Sequence, residues 1–262
     1  MRRLLTTEVT VPFPVSNISN KTHVAPIHQI DTISHILLDR PEEHQHVVAL
    51  YNEQGSHKNG FKYDELIWIK YGENVTEAEA VAQTFAYEHV DRNIIRIPEI
   101  YDCFSEKNMT YILMERVNGE DYRDYVKSHP TDGPEIYRSL VGAVRHFWAL
   151  QIPADASPGP FVQQIPVDRF FSDRDAHQTF QTITEFEQWI NRKLIDHHLD
   201  ERVDFNSKQL LFCHCDLASH NIMILENGTL YIIDFGMSGL YPRVFEVYAL
   251  FHQFGSKLAK RL

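Results

Sequence analysis

The sequence predicts an α+β chain in two parts, a small antiparallel sheet with one helix followed by a mainly helical half. Three observations carry this. β-Type runs crowd the stretch before residue 117, amphipathic helical periods dominate after Gly119, and one hairpin signal interrupts the helical half near Asn227-Gly228. With 262 residues, 43% hydrophobic and 12% aromatic, the chain is large enough to bury a substantial core. The expected division is an irregular arm over residues 1–30, a sheet-and-helix unit over 31–117 and a helical unit over 118–262.

Pro12, Pro14 and Pro26 interrupt the arm, where no period is sustained. "ISHILLD" (33–39), "HVVALYNE" (46–53) and "ELIWIKYG" (65–72) read as three strands, with "RPEEHQ" (40–45) as the loop between the first two. Thr76 then caps an amphipathic helix that carries Ala78, Val81, Ala82, Phe85 and His89 on one face. "EIYDCFSE" (99–106) and "TYILMERV" (110–117) form two more strands around a Lys107-Asn108 turn. "EIYRSLVGAVRHFWAL" (135–150) and "ITEFEQWINRKLIDHHL" (183–199) each place apolar residues on a single stripe, as core helices do. The proline-rich stretch between them, 151–166, is expected to be a long loop.

The formal charge of −11 argues against a nucleic-acid partner, which calls for a basic stripe, and suits a cationic or neutral one. Cys103, Cys213 and Cys215 are odd in number and lack framework spacing, as expected of reduced thiols in the cytoplasm. Thr6, Thr7 and Glu8 end the Leu4-Leu5 run too early for a signal core or a membrane span, so a soluble cytoplasmic protein without a membrane partner is expected. Nothing in the pattern sets an oligomeric state.

"CHCDLASHN" (213–221) gathers two cysteines and two histidines. A zinc cage is disfavoured, because adjacent Cys-His-Cys residues on extended chain point to alternate sides. Downstream, "IMILENGTLYIIDF" holds two β-type runs around Asn227-Gly228. A two-residue turn there sets Met223 opposite Ile232 and Asn221 opposite Asp234. Opposed residues share a face with Cβ atoms about 4.5–5.5 Å apart. An amide oxygen beside a carboxylate is the hard-oxygen ligation that Mg²⁺ prefers.

H-C-D-L-A-S-H-N followed by D-F-G resembles the catalytic loop and metal-binding motif of the protein-kinase-like fold. The resemblance implies Asp216 as the catalytic base, Asn221 and Asp234 as Mg²⁺ ligands, and Lys70, closing "LIWIK", as the phosphate-binding lysine. "TEAEAVAQTF" is similar to the aminoglycoside phosphotransferase pattern and makes Glu79 the partner of Lys70, although Glu79 also fits a capping box with Thr76. No A-P-E segment follows D-F-G. "KYG", "YILMERVNG" and the Gly-Leu-Tyr-Pro segment resemble fungal members of the aminoglycoside phosphotransferase and choline-kinase-like family.

That family implies a two-lobe fold, ATP and Mg²⁺ as cofactors, and transfer of the γ-phosphate to a hydroxyl of a small molecule. It places adenine against Met114 and the backbone of Glu115 and Val117. Asp173, Asp175, Glu185 and Glu187 are candidates to meet a cationic acceptor, or solvated helix-face charges. Because "RPEEHQ" has no glycine, phosphate grip would rest on Lys70 and the metal, with Arg40 or His44 as further candidates. Two alternatives remain open: a weak or inactive kinase-like scaffold or regulator, and a short protein kinase.

Overall fold

The computed structural model describes residues 41–54, 60–162, 165–167, 170–171, 175–205, 209–254 and 261–262. The expected arm and the 33–39 strand lie outside them, as do Arg40 and Asp173. Among the described residues the first element is not a strand but a helix, α1 (Pro41–Gln54). "PEEHQ" (41–45) therefore opens a helix and is no loop between strands. Pro41 sits at the first helical position, where its missing N–H costs nothing. Val47 is buried and Tyr51, one turn on, meets the rings of Tyr71 and Tyr111. The i, i+4 spacing outweighs the β-preference of Val47-Val48 because only a helix puts both residues on the sheet.

A four-stranded antiparallel sheet follows, built from β1 (Gly60–Lys62), β2 (Ile67–Gly72), β3 (Ile100–Glu106) and β4 (Met109–Glu115) in the order β1-β2-β4-β3. Its faces divide by the two-residue period of a strand. Ile69, Tyr71, Tyr111 and Leu113 pack with Val47 of α1 on one face. Ile112 and Met114 pack on the other with Val75 and Ala80, the latter in α2 (Glu77–His89). Trp68 and Lys70 alternate with Ile69 and Tyr71, so they share the α2 face. The Lys107-Asn108 turn is as expected, with both residues at positive φ.

The second half contains α3 (Tyr122–Ser128), α4 (Gly133–Ala149), α5 (Ile183–Asp196) and α6 (Val244–Phe254). Leu140, Ala143, Val144 and Phe147 of α4 are fully buried against Phe85, Phe212 and Leu217 in the largest core cluster. Burial of one such large side chain contributes about 1.5–3 kcal/mol. A second cluster joins Phe186 and Ile190 of α5 to Tyr241 and Phe245 at the start of α6. No described helix is long and apolar enough to cross a membrane.

Two ribbons set the central loops side by side. β6 (Leu211–Cys213) pairs with β9 (Gly239–Tyr241), while β7 (Ile222–Ile224) pairs with β8 (Leu230–Ile232) and with the short β5 (Glu120–Asp121). The chain runs from β6 through residues 214–221 into β7, and from β8 through 233–238 into β9. Both connections must therefore cross the same gap between the ribbons, next to each other.

Candidate active site

The hairpin register differs by one residue from the expected one. Ile222 faces Ile232, Met223 faces Tyr231 and Ile224 faces Leu230. The loop is three residues long, Glu226-Asn227-Gly228, closed by Leu225 N–H to Thr229 O at 3.0 Å with Gly228 at φ +80°. A turn followed by a left-handed glycine is the usual three-residue hairpin connection. Asn221 is thus opposite Ile233, whose N–H it accepts at 3.0 Å, and not opposite Asp234.

Asn221 and Asp234 nevertheless line the same cleft, of about 750 Å³. Regular pairing has ended by this point. Asn221 closes a 3₁₀ turn, Ser219–Asn221, and Asp234 takes a left-handed φ of +67°. That conformation costs a non-glycine residue about 1–2 kcal/mol, and it lets Asp234 reach the cleft that a straight strand would turn it from.

Lys70 sits at the centre of the charge pattern. Its Nζ donates to Glu79 Oε1 and, at 2.9 Å, to Asp234 Oδ1. This ammonium links the two halves of the chain at the cleft. Burial works against the charge on Lys70, but Glu79 and Asp234 outweigh it and hold the pKa above that of an ordinary lysine. Burial also opposes charge on Asp234, yet the adjacent Lys70 keeps its carboxyl below the usual range. Burial pushes the Glu79 carboxyl up, and the ammonium offsets this only in part. The capping alternative resolves by division of labour. The Glu79 N–H donates to Thr76 Oγ1 at 3.3 Å while the Glu79 carboxylate goes to Lys70.

The cleft is roofed by Trp68 and Gly60, with Met114, Glu115, Val117, Met223 and Ile233 around it. Glu115 donates its backbone N–H to Glu99 O at 2.8 Å and Arg116 donates to Leu66 O at 2.7 Å. The Val117 N–H forms no such bond among the described residues and stands available at the rim. Gly60 is required where it is, since a Cβ there would lie 2.7 Å from Trp68 Nε1 and 2.8 Å from Ile69 O. Asp216 is not part of the lining. It is tied to the cleft by Asn221, whose Nδ2 donates to Asp216 O at 2.8 Å.

Residues 72–262 match the Phosphotransferase enzyme family. The chain belongs to this family. Among solved structures, a thermostable mutant of aminoglycoside phosphotransferase APH(4)-Ia in its apo form is similar at TM-score 0.50 and 14% identity, over 81% of this chain and 80% of that one. A ternary complex of a mutant of the same enzyme with ADP and hygromycin B is similar at TM-score 0.51 and 14% identity, over 79% and 73%. At this identity the likeness is one of fold. No curated protein matches the chain in sequence.

Several residues of this phosphotransferase-family protein carry the site without having been singled out in the sequence. Glu246 of α6 is buried, and its Oε2 accepts the backbone N–H of His214 at 2.5 Å and of Cys215 at 3.0 Å. A glutamate inside the apolar run "VFEVYALF" was the available signal. Gln253, seven residues on, donates to Asp216 Oδ1 at 3.1 Å. Trp68, Met223 and Ile233 read as ordinary strand residues, and only the three-dimensional cleft distinguishes them.

His214 supports the loop. Burial lowers its pKa to about 4, so it is neutral at pH 7. Its Nε2 lies 3.1 Å from Ile233 O, which can only accept, and its Nδ1 receives the Asp216 N–H at 3.3 Å. Those partners assign the proton to Nε2.

Cys213 and Cys215 are buried packing residues, and His220 is exposed. No group of three or more His, Cys, Asp and Glu of metal-holding geometry occurs among the described residues. His44 does not reach the cleft, because it bonds Asp102 at 2.7 Å and stacks on Phe104. Glu185 accepts the Gln181 N–H at 2.9 Å, Glu187 accepts the Phe205 N–H, and Asp175 accepts the His177 N–H at 2.7 Å. These carboxylates therefore already serve local structure.

Proposed function

We propose that this protein transfers the γ-phosphate of ATP to a hydroxyl group of a small molecule. One observation carries the reading. Lys70, ion-paired to Glu79 and Asp234, sits on the wall of a cleft that also presents Asn221 and the available Val117 N–H. A scaffold has no use for a partly buried ammonium held between two carboxylates on the wall of a cavity. The similarity in fold to an enzyme solved with ADP and hygromycin B supports the same reading.

Within it, residues 31–117 form the nucleotide-binding part and 118–262 the catalytic and acceptor part. Trp68, Met114, Met223 and Ile233, which line the cleft, would hold the purine. The Glu115 carbonyl accepts from it and the Val117 N–H donates to it. Lys70 holds phosphate oxygens as a fixed positive charge.

The donor set fits Mg²⁺. The Asn221 amide nitrogen is committed to Asp216, which leaves the amide oxygen, and Asp234 is ionised. With two hard oxygens from the chain, phosphates and water complete the shell in the manner Mg²⁺ prefers. When bound, the ion neutralises charge that develops on the transferred phosphoryl group. Asp216 accepts the proton of the attacking hydroxyl as its oxygen bonds to phosphorus and the bond to the ADP oxygen breaks. The acceptor is a small hydroxyl compound, and a cationic one fits the acidic chain. A peptide acceptor is disfavoured, because β9 and α6 begin directly after Gly236 with no intervening activation segment.

Thermal melting tests the reading. Free MgATP at a hundred times its dissociation constant stabilises by about 2.7 kcal/mol, a rise of several degrees. The shift should require Mg²⁺ and vanish in Asp234→Ala; no shift at millimolar MgATP would exclude the proposal. ADP release across a panel of hydroxyl-bearing compounds, with Asp216→Ala as the blank, then identifies the acceptor.

A further inference from the structure

The last described helix touches the catalytic loop twice from one face. Glu246 and Gln253 are seven residues apart in α6, two turns of a 3.6-residue helix, so both side chains project toward residues 214–216. Glu246 accepts the backbone N–H groups of His214 and Cys215. Cys215 has a left-handed φ of +63°, a conformation that persists only where the surroundings over-determine it. Gln253 then reaches one residue further and donates its side-chain amide to Asp216 Oδ1 at 3.1 Å. Asp216 Oδ2 faces the Asn221 amide at 3.5 Å, at the limit of a hydrogen bond.

We propose that Gln253 is a positioning residue for the phosphoryl-transfer step. By holding Oδ1 it fixes the plane of the Asp216 carboxylate against the hydroxyl whose proton it takes. α6 is then a brace with two grips, one on the backbone of the strained loop and one on the base. The inference rests on the phosphotransferase reading, in which Asp216 is the base. It adds that the base is oriented by the end of the chain's last described helix and not by its own loop alone.

A carboxylate free to rotate about its Cα–Cβ and Cβ–Cγ bonds spends much of its time misaligned. Misplacement of a catalytic group by as little as 1 Å can cost about a hundredfold. Loss of one constraint while the others remain should cost less, about tenfold in kcat. Nucleotide binding does not use Gln253 and should be unchanged.

The test is a double-mutant cycle in the full-length protein, with water as the acceptor and ADP release as the readout at saturating MgATP. Gln253→Ala should lower kcat about tenfold, leave KM for MgATP within twofold and melt near the wild-type temperature. In an Asp216→Asn background the same change should have no further effect. Equal loss in both backgrounds, or a Gln253→Ala enzyme as fast as wild type, would overturn the proposal. The contact has a readout that needs no turnover. The Gln253 side-chain amide resonance in a ¹⁵N-labelled sample, assigned by its absence in Gln253→Ala, should move in Asp216→Asn; a resonance unmoved by that change also overturns it. A wild-type protein that binds MgATP in calorimetry but fails these tests retains the nucleotide reading. One that binds no MgATP loses the reading beneath both.

Discussion

Lys70 is an ammonium that the sheet would expel if the two carboxylates were not there. Removal of one member of a buried pair costs about 3–5 kcal/mol when the other is left unpaired. Glu79→Ala leaves Lys70 with Asp234 and sets the expected loss at the lower end, on the order of 3 kcal/mol, readable by urea denaturation. MgATP affinity should fall with it. His214 yields a pH prediction. Its pKa is about 4 in the folded chain against 6.5 for the ordinary imidazole. The unfolded chain therefore binds the extra proton as pH falls from 6.5 to 4, and stability declines by about 1.4 kcal/mol per pH unit across that window. Above 6.5 His214 contributes no slope. Comparing wild type with His214→Asn at pH 7 and pH 5 isolates the effect, and equal slopes would disprove it.

At the scale of elements, the hairpin of β7 and β8 depends on Gly228 at φ +80°. Gly228→Val forces a β-branched residue into the left-handed region and should destabilise by about 1–2 kcal/mol or more, as a lower denaturation midpoint. The elements were legible in the sequence wherever one period dominated. α2, α4 and α5 follow from their apolar stripes, and β2 to β4 from alternation and the Lys107-Asn108 turn. α1 was hidden because Val47, Val48 and Leu50 satisfy both a buried strand and a helix; Pro41 at the first turn was the discriminating residue. Asn-Gly proclaimed a turn but not its length, and one residue of difference moved Asn221 from Asp234 to Ile233. Lys70, Asn221 and Asp234 nevertheless line one cleft, with Glu79 bonded to Lys70, because the motif spacing encodes the loops that carry them. Gln253 was not legible and Glu246 stood out only as a charge in an apolar run, since what they grip is two or more elements away along the chain.

At the scale of the whole molecule, several contacts besides Lys70 tie the sheet half to the helical half, two of them through β8. The Tyr231 hydroxyl donates to Glu115 Oε1 at 3.0 Å, joining β8 to the end of β4. Arg96 forms a parallel bridge beside Tyr231, its N–H going to Leu230 O at 2.9 Å and its carbonyl receiving the Ile232 N–H at 3.0 Å. Tyr231→Phe removes a charge-assisted bond of about 1.5–3 kcal/mol, and faster hydrogen exchange at Glu115 and Arg116 should report it. The Arg96 bridge also bears on any attempt to divide the chain. β8 has β7 on one side and residue 96 on the other, so a fragment beginning near residue 118 would carry an uncovered strand edge. Uncovered edges recruit other chains. Expressed alone, such a fragment should self-associate, and supplying residues 41–117 in trans should return it to a one-to-one complex.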